Sequence, residues 1–147
     1  MNKFLRLFLL FGVCVSLLCG CSKHDKPMPL TKENVTHYMQ NMEAAIKSIT
    51  AKEVEEAKGN PDKQKKMYYK MFVEPMEKMG YSYDKTISVI ANQVLAKTLR
   101  TTDSNMTMMV SDLLAFAKNS RTAASQYGFI SKETKELLDQ VSLIFPR

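Results

Sequence analysis

The sequence predicts an all-α fold: a small bundle of about five short helices over residues 31–147. Three observations predict it. Apolar residues recur at spacings of three and four, which gathers them on one side of a helix. Cap residues stand before the apolar runs, and glycines stand behind three of them. Period-two alternation does not persist and the β-branched residues are scattered, so no strand signal competes.

The first helix is expected from Thr31, an N-cap with Glu33 in the first turn and Leu30 as a staple before it. Val35, Met39, Met42, Ile46 and Ile49 make a narrow apolar seam running toward Lys58-Gly59-Asn60. Asn60-Pro61-Asp62 then reads as an Asn cap, a proline at the first position and an acid in the first turn. The second helix carries Met67, Tyr68, Met71, Phe72, Met76 and Met79 on one side. Pro75 lies inside that stripe, where a kink or break is expected at a cost of about 3 kcal/mol unless the geometry adapts.

Ser82 or Asp84 caps the third helix, whose core face is Ile87, Ile90, Ala91, Val94, Leu95 and Leu99. A polar turn over 101–105 leads into a fourth, with Met106, Met109, Val110, Leu113, Phe116, Ala117 and Ala124 inward. Gly128 stops it. Ser131 caps the last, and Leu137, Leu138, Val141 and Ile144 form its face. Short connections predict mostly antiparallel neighbours.

Ahead of this domain, residues 1–20 have a basic start (Lys3, Arg6), an apolar run from about Leu7 to Leu18, and small Gly20 before Cys21. The run of roughly 12 apolar residues falls short of the ~20 that span a bilayer, so a signal sequence is the better reading. Leu18-Cys19-Gly20-Cys21, followed by Ser22, resembles the lipobox of bacterial lipoproteins. Cys19 departs from the Ala, Ser or Thr more usual there. The resemblance implies lipidation of the Cys21 thiol and cleavage before it, so that the membrane is one partner. Ser22 in place of Asp implies sorting to the outer membrane, facing the periplasm. Residues 21–30, with two prolines and several charges, are expected to form a flexible tether.

Cys14 and Cys19 leave with the signal, so Cys21 has no disulfide partner in the mature chain. Removing Lys3 and Arg6 from 21 basic residues leaves 19 against 15 acidic ones, a net of +4. The positive charge is dispersed, and a nucleic-acid partner needs a patch or stripe. Catalysis is not expected either. His24 lies in the tether and His37 has no second His or free Cys beside it, while Glu53, Glu55 and Glu56 read as a solvated face. No cofactor site is expected.

Methionine is the compositional outlier, with Met39/Met42, Met76/Met79 and Met106/Met109 each three apart. Thioethers on one helix face suit Cu(I), but flexible methionines on apolar stripes more often fill a core. A groove lined by Met67, Met71, Phe72, Met76 and Met79 is the candidate seat for a partner's apolar helix. In size, anchor and helical class the chain is similar to secretin pilotins and other envelope-assembly accessories. The expected role is therefore a non-enzymatic binding or assembly protein with an envelope protein as partner. An immunity or exclusion lipoprotein is the alternative, and soft-metal binding the third reading.

Overall fold

The computed structural model describes residues 24–100 and 103–146; residues 1–20 and Cys21 lie outside this range. Among the described residues 74% are helical and none is in a strand, as an all-α bundle requires. The helices are α1 (Lys32–Lys47), α2 (Ala51–Ala57), α3 (Pro61–Tyr68), a π turn (Tyr69–Val73), α4 (Glu74–Glu77), α5 (Tyr83–Leu95), α6 (Ser104–Gln126) and α7 (Lys132–Ile144).

The single helix expected from Thr31 to Lys58 is two. Thr31 caps α1, accepting from the Asn34 N–H, but α1 stops at Lys47. Thr50 then accepts from the Glu53 N–H at 3.2 Å while the Glu53 carboxylate accepts from the Thr50 N–H at 2.7 Å. This reciprocal capping box starts α2. The expected seam is not buried to its end: Ile46, in the last turn of α1, is 42% exposed, and on α2 Val54 is 45% exposed.

Pro75 does not break its helix. It has no N–H for the carbonyl of Met71, four residues back. The chain widens instead, and the Glu74 N–H donates to the Tyr69 carbonyl, five residues back. A spacing of four drifts by ~40° per step in an α-helix. The π turn absorbs that drift, so Tyr68, Phe72 and Met76 all stay on the core side.

Ser82 caps α5, accepting from the Lys85 N–H. The helix ends four residues before Leu99, where the Thr98 N–H reaches back to the Gln93 carbonyl and the Lys97 N–H to that of Val94. This Schellman closure needs a left-handed residue, and Lys97 takes it at φ 56°. The same closure ends α6, with the Phe129 N–H on the Ala124 carbonyl, but there the left-handed residue is Gly128 at φ 78°. Asp103 caps α6 through the Met106 N–H and pairs with Lys32 at 3.0 Å.

The neighbours are not all antiparallel. The Asp84 carboxylate accepts from the Ser131 N–H, joining the starts of α5 and α7, and Val94 and Val141 line one cleft near their ends. These two helices therefore run side by side in one direction. α6 runs against α7, since Lys118 reaches Phe145 and Arg121 reaches Asp139. The core that results holds Val35, Tyr38, Met76, Ile87, Ile90, Met106, Val110, Leu113, Leu138 and Val141.

The segment 21–30, expected to be a flexible tether, is held against the bundle over its described part. Met28 is buried to 1% exposure, and its N–H donates to the Thr86 hydroxyl at 2.8 Å. The Ser82 N–H donates to the Lys26 carbonyl at 2.8 Å, and Asn34 donates its side-chain amide to the Pro29 carbonyl. Pro29 disfavours helical backbone at Met28, and neither Pro27 nor Pro29 has an N–H to donate. The one apolar side chain between them is long enough to fill a gap beside α5. Ile144, expected on the core face of α7, is 58% exposed because α7 ends there, beyond the last core neighbour Val141.

Candidate functional site

The five residues expected to line a partner groove do not share one surface. Phe72 and Met76 are core, 8% and 0% exposed, because the π turn rotates them inward. Phe72 stacks on Phe116 with ring centroids 3.8 Å apart. Met71 and Met79 are half-buried against the same core, which leaves Met67. Met67 lines a shallow cleft between α2 and α3 with Ile49, Glu53, Glu56, Lys63 and Lys70. Ion pairs cross that cleft from Lys63 to Glu56 (2.8 Å) and from Lys70 to Glu53 (3.5 Å). The acids read as a solvated face pair with nearby lysines, and Glu55 does so with Lys58. Exposed pairs of this kind contribute at most about 1 kcal/mol each.

The three methionine pairs also lie in or against the core. Met76 and Met106 are buried, while Met39, Met42, Met79 and Met109 pack partly buried against the core. The Met109 sulfur accepts from the Thr36 hydroxyl at 3.9 Å. His37 is exposed on α1. No group of three or more His, Cys, Asp or Glu with metal-holding geometry occurs among the described residues.

Behind the groove stripe lies a buried hydroxyl network that the sequence reading missed. Tyr68 Oη is 2.9 Å from Ser120 Oγ and 3.3 Å from Tyr83 Oη. Ser120 donates its one hydroxyl proton to the Phe116 carbonyl. Tyr68 must then donate to Ser120 and Tyr83 to Tyr68, so the chain of protons has one direction. Burial pushes the Tyr68 and Tyr83 hydroxyls above the ordinary phenol range, and burial does the same at Tyr38. Tyr69 is raised to about 12, first by its hydrogen bond to Glu77 (2.6 Å) and then by burial. Neutral phenols held as hydrogen-bond donors brace a core; they offer neither base nor nucleophile at neutral pH.

The open apolar surface lies elsewhere. Val94 at the end of α5, Leu114 and Ala115 on α6, and Val141 and Phe145 at the end of α7 line a cleft of about 240 Å³. Lys118 forms one wall. Its side chain is buried to 3% exposure, and its ammonium donates to the Phe145 carbonyl at 2.7 Å. A cation at the end of α7 suits the negative pole of that helix. The bond also fixes Phe145 at the rim, 49% exposed, next to Ile144 and to Leu143 at 84%. Three consecutive large apolar residues in water at the end of α7, the last of them lining the cleft, are the feature of this surface that core packing does not account for. In the sequence, Leu114 and Lys118 stand one turn apart beside the Val110–Leu113–Ala117 core stripe. That spacing is the signal in the sequence, and a lysine at one of the two positions weakens it.

No helix of the described residues is long and apolar enough to cross a membrane. Comparison with known proteins gave no match to a family model, to a curated protein or to a solved structure.

Proposed function

We propose that this chain is a lipid-anchored lipoprotein of the cell envelope, held at the outer membrane and facing the periplasm. It acts there as a non-enzymatic binding or assembly accessory for another envelope protein. The observation that carries this reading is the run Leu18-Cys19-Gly20-Cys21 behind a basic start and a short apolar stretch. The apolar cleft lined by Phe145, with Leu143 and Ile144 exposed beside it at the end of the same helix, supports it as the seat for a partner's apolar segment. Such a device works by position. Anchoring raises the effective concentration for membrane-resident partners without a tight intrinsic site.

A photo-crosslinking residue placed at Leu143, in the lipidated protein within its own envelope, tests the reading, with one at Lys52 as the comparison. An adduct with a secretion or assembly component from Leu143 alone supports it. A toxin or mating-apparatus component in that adduct would favour an immunity or exclusion role instead. The variant Cys21→Ser tests the anchor: it should leave the membrane fraction, and if it stays there with no lipid lost, the lipobox reading fails.

A further inference from the structure

The strap over residues 24–30 has a consequence for orientation. Asp25 and Lys26 sit at the first turn of α5, through the Lys85 ammonium at 3.8 Å and the Ser82 N–H at 2.8 Å. Two positions on, Met28 is locked beside Thr86, and by Lys32 the chain has reached Asp103 at the start of α6. The strap therefore meets α5 at its cap and first turn, passes from Ser82 at Lys26 to Thr86 at Met28, and goes on to the start of α6. The lipid-bearing side of the strap leaves the domain at the end where α5 and α7 begin, since Ser131 is bonded to Asp84. Only Ser22 and Lys23 separate Cys21 from His24. Three Cα steps reach at most about 11 Å.

We infer that the strap makes the anchor directional: the bilayer surface meets the end of the bundle built from the first turns of α5 and α7. This rests on lipidation of Cys21. The occupant of that end is the headgroup layer of a phospholipid membrane, because the chain left outside the structure is too short to hold it elsewhere. From Asp84 to Val94 the axis of α5 advances ~15 Å. The cleft lined by Val94, Val141 and Phe145 at the ends of α5 and α7 thus lies at the far end, as does the exposed Leu143, away from the bilayer. An upright domain cannot dip both ends into one leaflet.

Introduced cysteines read this directly, because the signal removes Cys14 and Cys19 and the lipid consumes the thiol of Cys21. The lipidated full chain carrying Lys132→Cys or Leu143→Cys, each labelled with an environment-sensitive fluorophore, is reconstituted in phosphatidylethanolamine–phosphatidylglycerol vesicles. Some of the lipid carries a headgroup nitroxide. Both positions are exposed, so neither change touches the core. The expected result is quenching several-fold stronger at position 132 than at 143. Equal quenching, or stronger quenching at 143, overturns the inference.

A second version inserts about ten Gly and Ser residues between Ser22 and Lys23, which lengthens the reach without touching the strap. It should erase the difference. If the difference persists, headgroup contacts rather than the short reach orient the domain, and the strap is not the cause. Mass measurement of the same samples separates the two levels of the argument. A lipid adduct on Cys21 with no quenching difference defeats the orientation alone, whereas no adduct overturns the anchor and the orientation together.

Discussion

The hydroxyl of Tyr38 on α1 donates to the carbonyl of Phe72, 2.8 Å away inside the π turn. The bond is buried and joins residues 34 positions apart. It ties the first helix to the one segment whose backbone departs from α geometry, on the core side where Phe72 stacks on Phe116.

Tyr38→Phe removes that donor while keeping the ring. The Phe72 carbonyl loses a partner in a place water does not reach, at an expected cost of about 1–3 kcal/mol. Urea unfolding followed by circular dichroism should show a lower midpoint with an unchanged slope. An unchanged midpoint would mean that the bond contributes nothing.

Met28→Ala distinguishes a packed strap from a flexible tether. A truncation in solvent costs almost nothing, whereas emptying a buried methionine site costs about 2–5 kcal/mol. Thermal melts of the soluble domain should fall by many degrees for this variant. Pro29→Ala beside it, exposed on the surface, should have a much smaller effect.

Lys97 occupies at φ 56° the left-handed position that Gly128 fills at the end of α6. Lysine has a Cβ that crowds the carbonyl there, at roughly 1–2 kcal/mol. Lys97→Gly relieves that crowding at some cost in unfolded-state entropy, so stability should rise by about 0.5–1 kcal/mol. Gly128→Ala should move the midpoint the other way.

The pH profile follows from both ends of the titration. The Asp103 carboxyl is held below its ordinary range by the Met106 N–H and by Lys32, and Glu53 is held low by Thr50 and Lys70. Asp139 is held low by Lys135 and Arg121. Groups lowered on folding stabilise above their unfolded values, and that contribution is lost as pH falls through the folded ones. The melting temperature should therefore hold steady near neutrality and drop below about pH 4. Asp103→Asn keeps a competent cap but has no charge to lose, so its acid decline should be shallower. At the alkaline end the sign reverses. Tyr38, Tyr68 and Tyr83 are raised, so their contribution is present below the unfolded phenol value of about 10 and is lost above it. Tyrosinate absorbance from these residues should therefore appear only as the helical signal collapses.

The helical class and most of the helix ends are legible in local sequence. Asn60, Ser82, Gly128 and Ser131 all act where local chemistry placed them, because a cap needs only the backbone of its own first or last turn. Thr50 and Glu53 carried the same kind of signal, and the apolar seam running past them hid it. Tertiary structure decided the rest. Whether Pro75 breaks or widens its helix depends on the core, which holds Tyr68, Phe72 and Met76 on one side and so favours the π turn. The same packing took Phe72 and Met76 out of the expected groove. It pulled Met28 out of an apparently mobile stretch, since a gap beside α5 exists only once the helices have assembled. Lys118 is buried because the end of α7 arrives to accept its hydrogen bond, a partner 27 positions away that no local pattern announces. Caps and periodicity are properties of neighbours in sequence; grooves, straps and buried charges are properties of neighbours in space.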